Sequence, residues 1–362
     1  MSKRVFPVLF ATILLDMIGI GMLIPVLPII FTDPSSPAFM LGGYSVSAQY
    51  TMAGLLTALF GLMQFISAPL LGELSDVYGR KKLLTLGVGI LALSQLLFGF
   101  GIETGSLLVL FISRIIAGIA GGNFSIAQAS IADITLPEFR ARNFGLIGVA
   151  VGVGFIVGPM LGGFIVSATD NAAAPFWFAA ALGIVNVLSI SLFLDETHLN
   201  RKAEKNFHIW KGIHNIQAAW RDHDARPVYI ASFLYIASFT FFTSFIGILL
   251  VARFGLSESA IGTFFGAMGF WIIITQAFIL RIISHRYKER QILRFTIIMM
   301  AVAISLYPFV PSLIWIYSIV PLLAIPNGLT MANMTALISK SVGPSKQGAA
   351  LGINGSLMAL AQ

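Results

Sequence analysis

Two charged side chains stand inside long apolar runs, and they are the positions in this chain where proton chemistry could occur. Asp16 falls in Asp16-x2-Gly19-x-Gly21-x3-Pro25-x2-Pro28, and Arg114 in Arg114-x3-Gly118. A charge at the middle of a bilayer costs about 2.5–3.5 kcal/mol even on lenient insertion scales, so each should face a polar cavity or a partner. One carboxylate and one guanidinium allow two readings. They form a structural ion pair, or Asp16 binds a proton and Arg114 controls its charge state. At 100° per residue, Arg114, Gly118, Gly121, Ser125 and Gln128 fall within about 40° of one another, a small and polar face suited to a cavity wall. A second constellation, Gly72-Glu-Leu-Ser-Asp76-Val-Tyr-Gly79-Arg80-Lys81-Lys82, lies in a polar gap between the runs Ser47–Leu71 and Leu83–Phe100. It reads as a loop carrying an aspartate and three consecutive cations. A third is Gly148-x3-Gly152-x5-Gly158-Pro159-Met-Leu-Gly162-Gly163. Gly148, Gly152, Gly158 and Gly162 occupy a stripe about 120° wide, which lets two helix backbones approach closely in lipid. Pro159 lacks a backbone donor and should bend that helix.

These side chains need a frame, and composition tells which solvent the frame faces. Apolar residues make up 57% of the chain, charged residues 10%, and mean hydropathy is +0.90. Soluble domains carry about 25% charged residues. A chain so poor in charge cannot cover its surface in water, so lipid must surround most of it. A spanning helix takes roughly 20 apolar residues. On that basis spans fall at 5–31, 48–71, 83–101, 106–132, 142–167, 174–194, 226–252, 258–283, 292–310 and 313–338, and an eleventh begins near Gln347 and is incomplete at Gln362. The run Val5–Phe31 is too long, and lacks the small-residue cleavage pattern, for a removed signal peptide. The fold expected is an all-α polytopic membrane protein. Residues 1–195 make a six-helix bundle, 196–225 a cytoplasmic linker and 226–362 an incomplete second bundle.

The net charge of +7 reports topology. Every Lys and Arg except Arg114 and Arg253 falls in segments that share one side if the amino terminus is cytoplasmic, as the positive-inside rule requires. The partner implied is the anionic cytoplasmic leaflet and not nucleic acid. In the linker, Ile209, Ile213, Ile216 and Trp220 recur at helical spacing. They suit an interfacial amphipathic helix or a surface helix on the bundle ends. The five histidines, His198, His208, His214, His223 and His285, lie in cytoplasmic segments without metal-ligand company and read as solvated. Cysteine is absent, so disulfides, thiol nucleophiles and thiolate metal sites drop out. No phosphate loop, H-E-x-x-H or catalytic triad is present, and no enzyme activity or metal site is expected. The aromatics Phe233, Phe239, Phe241, Phe242 and Trp271, with Gln276, Asn327 and Asn333, suit a cavity for an amphipathic or lipophilic solute. Its lining is expected to include Ser125, Gln128, Phe241, Trp271, Gln276 and Asn327.

The Gly72–Lys82 constellation resembles the G-x-L-x-D-x-x-G-R-K signature of the major facilitator superfamily, where it joins the second and third membrane helices on the cytoplasmic side. The glycine series resembles the signature of its drug:proton antiporters, and the Arg114 motif is similar to one associated with proton coupling. Leu15-Asp16-Met-Ile-Gly19-Ile-Gly21, Ile131-Ala-Asp133-Ile-Thr135, Arg140-Ala-Arg142-x-Phe144-Gly145 and Gln347-Gly348 resemble the tetracycline-efflux branch. The chain departs from that branch where Ile272 replaces an eighth-helix histidine and where Ile297–Leu306 lacks an acid. The resemblance implies two six-helix bundles around a central cavity, with the last helix and a half absent from this chain. It implies a monomer in a bacterial inner membrane that exports a small molecule, with protons as coupling ion and no other cofactor. Asp16 and Arg114 would couple protons. Gly72, Asp76, Gly79, Arg80, Lys81 and Asp133 would form a gating latch, with Asp76 near the helix at Gln347–Gly348 and Arg80 near Asp133. Proton-linked uptake, or a membrane sensor or assembly protein that transports nothing, are the alternatives.

Overall fold

The computed structural model describes residues 5–136, 140–198, 225–341 and 347–361, with positions 214, 217, 220 and 221 between them. Among these, ten helices of 20 to 33 residues are long and apolar enough to cross a membrane. The first half contains α1 (Val5–Gly21), α2 (Leu23–Thr32), α3 (Val46–Tyr78), α4 (Arg80–Glu103), α5 (Leu107–Ala120), α6 (Asn123–Ile134), α7 (Arg140–Thr169) and α8 (Ala174–Phe193). The second contains α9 (Arg226–Phe254), α10 (Glu258–Ile274), α11 (Leu280–Arg286), α12 (Glu289–Leu306), α13 (Leu313–Lys340) and α14 (Gln347–Ala361). The described chain is a multi-pass helical membrane protein, with spans where the hydropathy predicts them. Large apolar side chains such as Leu108, Phe164, Leu192, Phe295 and Ile314 stay exposed around the outside. That is the surface a helix presents when its solvent is hydrocarbon.

Three spans are interrupted along their length, and the sequence explains two of the breaks. Pro25 lacks an N–H and its ring clashes with the carbonyl four residues back, at Gly21. The first span accordingly divides there, with Met22 between α1 and α2. The fourth divides at the Gly121–Gly122 pair, between α5 and α6. In the eighth, a π-helical turn at Thr275–Ile279 joins α10 to α11.

The polar gap at Gly72–Lys82 is not a loop, contrary to its sequence reading. Helix α3 runs on to Tyr78 and α4 starts at Arg80, so Gly79 alone turns the chain. Its φ of 100° is a conformation that glycine adopts without steric cost, and its N–H donates to the Ser75 carbonyl at 3.1 Å. One residue does the work of a loop, and that brings two helix ends together rigidly.

The two halves meet where α7 packs on α10, α2 on α9, and α3 on α14. Within the first half, one apolar cluster (Leu9, Ile13, Leu84, Ile131, Ile190) fills the end near Gly79. Another (Phe31, Leu41, Phe98, Phe176) fills the opposite end. Between them lies the layer that holds the charged residues. The linker isoleucines Ile209, Ile213 and Ile216 fall outside the described residues. Trp220 is exposed, with the Arg226 guanidinium 5.5 Å from its ring centroid.

Candidate functional site

Asp16 projects from α1 into the middle layer and finds its partner on α8. Its Oδ1 accepts from the Asn186 amide at 3.2 Å. The amide oxygen of Asn186 accepts from the Thr12 hydroxyl at 3.0 Å, and that hydroxyl also donates to the Val8 carbonyl at 2.9 Å. Asn186 is 1% exposed and Thr12 buried. Beside the carboxylate is a chamber of about 20 Å³ bounded by Asp16, Gln64, Asn123 and Phe124. A space of that size admits one water molecule. The Gln64 carbonyl oxygen is buried there without a hydrogen-bond partner among the described residues, and Asn123 stands beside the carboxylate.

Arg114 does not pair with Asp16, and the ion-pair reading fails for this arrangement. Arg114 lies 2% exposed on α5. Its guanidinium carbon sits 4.4 Å from the centroid of the Phe98 ring, which in turn packs on Phe176. One Nη donates to Gln95 Oε1 at 3.5 Å, while the Gln95 amide donates to the Gly19 carbonyl at 3.2 Å. The Arg114 Nε is buried with no acceptor. Asp16 is engaged by α8 on one side of Gln64, and Arg114 is on the other. Gln64, Met17 and Ile20 line both the Asp16 chamber and a second cavity that Arg114 enters.

That second cavity, about 140 Å³, lies between the halves. The first half gives it Arg114, Gln64, Thr57 and Phe60. Helix α9 gives it Phe239, Thr240, Thr243 and Ser244, at the spacing of one helix face. None of the six residues expected to line a cavity does so here. Phe241 is two positions from Phe239, about 200° around the helix, and is 66% exposed. Trp271 packs on the core of the second half. Asn327 accepts from the Tyr235 hydroxyl at 2.6 Å, and Gln276 lies in the π-helical turn. Gln128 is partly buried on α6. The polar stripe on α5 and α6 is a packing face. Ser67 donates to the Gly118 carbonyl at 3.0 Å, Gln64 to that of Gly121 at 3.2 Å, and Ser125 to that of Ala68 at 3.1 Å. Of that stripe, only Arg114 reaches the cavity.

The glycines of α7 also divide by function. A Cβ on Gly158 would lie 2.6 Å from the Ile18 carbonyl and 2.8 Å from Gly21 Cα, and one on Gly162 would lie 2.8 Å from the Met22 carbonyl. These two, with Gly154, let α7 sit directly on the break between α1 and α2. Gly163 faces the Glu258 backbone of α10, and the Pro159 carbonyl lies 2.8 Å from where a Gly262 Cβ would be. Among the described residues, Gly148 and Gly152 have nothing within 4 Å. They belong to no tight contact, which corrects the single stripe read from the sequence.

At the Gly79 corner, Arg80 is 6% exposed. It meets Asp76 at 2.6 Å and Asp133 at 3.1 Å, and donates to the Gly72 carbonyl at 3.3 Å and to the Ser75 hydroxyl. Its backbone N–H donates to Glu196 at 2.9 Å. His198 is not simply solvated: its Nδ1 is 3.7 Å from Asp133 and its Nε2 is buried without a partner. Among the other histidines, His214 and His285 are exposed, and His208 and His223 lie outside the described residues. Lys81 is partly exposed. Helix α14, which starts at Gln347, packs on α3 as a whole. The partners Asn186, Gln64, Gln95 and Glu196 were missed in the sequence. The signal for the first three was an amide inside an apolar span, where it must be satisfied or pay for exposure to hydrocarbon.

With this geometry in view, similarities to known proteins become informative. A family model described as Major Facilitator Superfamily matches residues 9–362. The class C tetracycline resistance protein of Escherichia coli is 31% identical over 359 residues, 99% of this chain and 86% of that protein. Multidrug resistance protein 1 of Bacillus subtilis is 27% identical over 352 residues, 96% of this chain and 84% of that protein. Among solved structures, the human organic anion transporter MFSD10 (TETRAN) superposes with a TM-score of 0.75 at 25% identity, covering 99% of this chain and 91% of that one.

Proposed function

This chain belongs to the major facilitator superfamily, and as a transporter of that family, not an enzyme, we propose that it exchanges an inward-moving proton for an outward-moving amphipathic organic solute. The names of its relatives, tetracycline and multidrug resistance, favour outward movement. The observation that carries the coupling is the environment of Asp16. It is the only acid in the middle of a span, it has a neutral partner instead of a cation, and it borders a chamber sized for one water. A carboxyl group held that way binds and releases a proton without breaking an ion pair. Gln64 lines both that chamber and the cavity between the halves, so proton and solute sites share a wall.

In this reading the cavity opens alternately to the two sides of a bacterial inner membrane, with the amino terminus cytoplasmic as the positive charges require. The Arg80 corner acts as a latch. Asp76, Arg80 and Asp133 come from α3, α4 and α6, and parting those helices in the alternate state breaks charge-assisted bonds. The test is Asp16→Asn in reconstituted vesicles. Accumulation driven by a pH gradient is expected to fall to that of empty vesicles, while downhill exchange of solute continues. Normal gradient-driven accumulation would refute the coupling role.

A further inference from the structure

We propose that the cavity between the halves receives an organic anion, whose carboxylate or comparable acidic group docks on Arg114 while its apolar body lies against Phe60, Phe155 and Phe239. The proposal rests on reading that cavity as the solute site, and it adds the charge class that the composition of the spans left open.

Four observations point the same way. Among the described residues, Arg114 is the one ionisable side chain lining the cavity, and no acid lines it. Its guanidinium is 2% exposed and forms no ion pair with any of them, and its Nε has no acceptor among them. Its only hydrogen bond is a 3.5 Å contact to the neutral Gln95, and one face lies on Phe98. The mid-span carboxylate, Asp16, accepts from Asn186 on α8 and makes no ion pair with Arg114. A buried cation without a counter-charge is costly, and the remedy is an anion with hydrogen-bond geometry. The planar fork of arginine accepts a carboxylate through two parallel N–H donors. A cation in the same position would meet Arg114 with no acid to offset it.

The rest of the wall fits that occupant. Three phenylalanines from α3, α7 and α9 line the cavity, together with Thr240, Thr243 and Ser244 of α9. An amphipathic anion thus finds its charge matched by the first half and its body enclosed by aromatics of both halves.

The probes are 1-naphthoate, 1-naphthylmethylammonium and 1-naphthylmethanol, which share a ring system and differ in charge. Equilibrium binding is measured on the purified full chain in nanodiscs, without a pH gradient. Naphthoate is expected to bind about tenfold or more tighter than the alcohol, the lower range for hydrogen bonds to charged groups. The ammonium is expected to bind more weakly than the alcohol. Arg114→Gln is expected to bring naphthoate down to the level of the alcohol, and Arg114→Lys to keep part of the preference. Should Arg114→Gln fail to fold, a second route needs no change at that position. The chain has no cysteine, so Thr240→Cys supplies a single thiol in the cavity wall for maleimide labelling. Naphthoate is expected to slow the labelling and the ammonium to leave it unchanged.

Equal or tighter binding of the ammonium overturns the proposal. So do naphthoate binding that survives Arg114→Gln unchanged, and labelling that naphthoate does not slow. Because no gradient or flux enters the measurement, anion-selective binding with no gradient-driven export would sink the antiport reading and leave this one standing. Export of cations together with absent anion binding would do the reverse.

Discussion

The two halves of the molecule, α1–α8 and α9–α14, treat buried polarity differently. In the first, ionisable groups stand in the middle layer, with amides from distant helices arranged around them: Asn186 on Asp16, Gln95 on Arg114. In the second, three pairs of polar side chains join helices as neutral groups. Ser232 donates to Asn354 at 2.7 Å, Tyr235 to Asn327 at 2.6 Å, and Thr330 to Thr296 at 2.7 Å. The corners between consecutive spans follow the same division. Arg80 is enclosed by Asp76 and Asp133, whereas the corresponding turn of the second half has Glu289 paired with Lys340, whose side chain is 66% exposed. The difference teaches that similar helix frames need not share chemistry. The first half carries the mid-span charges, and the second gives the cavity a neutral wall of hydroxyls and an aromatic.

The comparison breaks most readily at the two corners. Arg80→Gln removes the guanidinium that Asp76 and Asp133 share, and removing one member of a buried pair costs about 3–5 kcal/mol. The carboxylates keep some exposure, 24% each, so the low end is expected, read as a drop in thermal stability of the purified protein. Glu289→Gln at the second corner should cost at most about 1 kcal/mol, as exposed pairs do. Equal losses at the two corners would erase the distinction.

The next contrast lies within the first half. Asn186→Leu strands the Asp16 carboxyl, and an unsatisfied buried polar group costs about 1–3 kcal/mol. Both stability and gradient-driven exchange should fall, whereas Asn186→Gln should restore part of each. A similar range, about 1–3 kcal/mol for overpacking, applies to Gly158→Ala, which forces α7 off the break in α1 and α2. Gly148→Ala meets open space, and there alanine should be neutral or mildly stabilising, by up to about 1 kcal/mol. If the two alanines behave alike, the division of the α7 glycines is wrong. The smallest effect belongs to the second half. Ser232→Ala removes a neutral hydrogen bond of a kind that averages about 0.6 kcal/mol in membrane proteins. A loss above that of Asn186→Leu would mean that the neutral half carries the tighter polar network.

Much of the candidate site was visible in the residues themselves. Asp16 and Arg114 announce themselves as charges in apolar runs, and the Asp76, Arg80 and Asp133 signatures fall where the helix ends bring them together. What misled was helix-face geometry. The stripe from Arg114 to Gln128 is continuous only on an unbroken helix, and the Gly121–Gly122 break interrupts it. Its glycines then pack on α3, because small residues suit close helix contact as well as cavity walls. Phe239 and Phe241 looked equivalent by composition, though about 200° of helix rotation separates them.

The sequence by itself determined how many described helices can cross a membrane, roughly where each lies, and which residue types could do chemistry. Those properties are local: each span must satisfy its own backbone and offer hydrocarbon an apolar surface, so every span can be judged alone. The tertiary structure alone decided the partners. Asp16 and Asn186 are 170 residues apart in the chain, and the cavity joins α5 to α9 across both halves. No periodicity within one helix encodes which amide will reach a carboxylate or which arginine will be left without one. That outcome is set by how close α7 can come to α1 and α10, and there four glycines of α7 and Pro159 decide the distance.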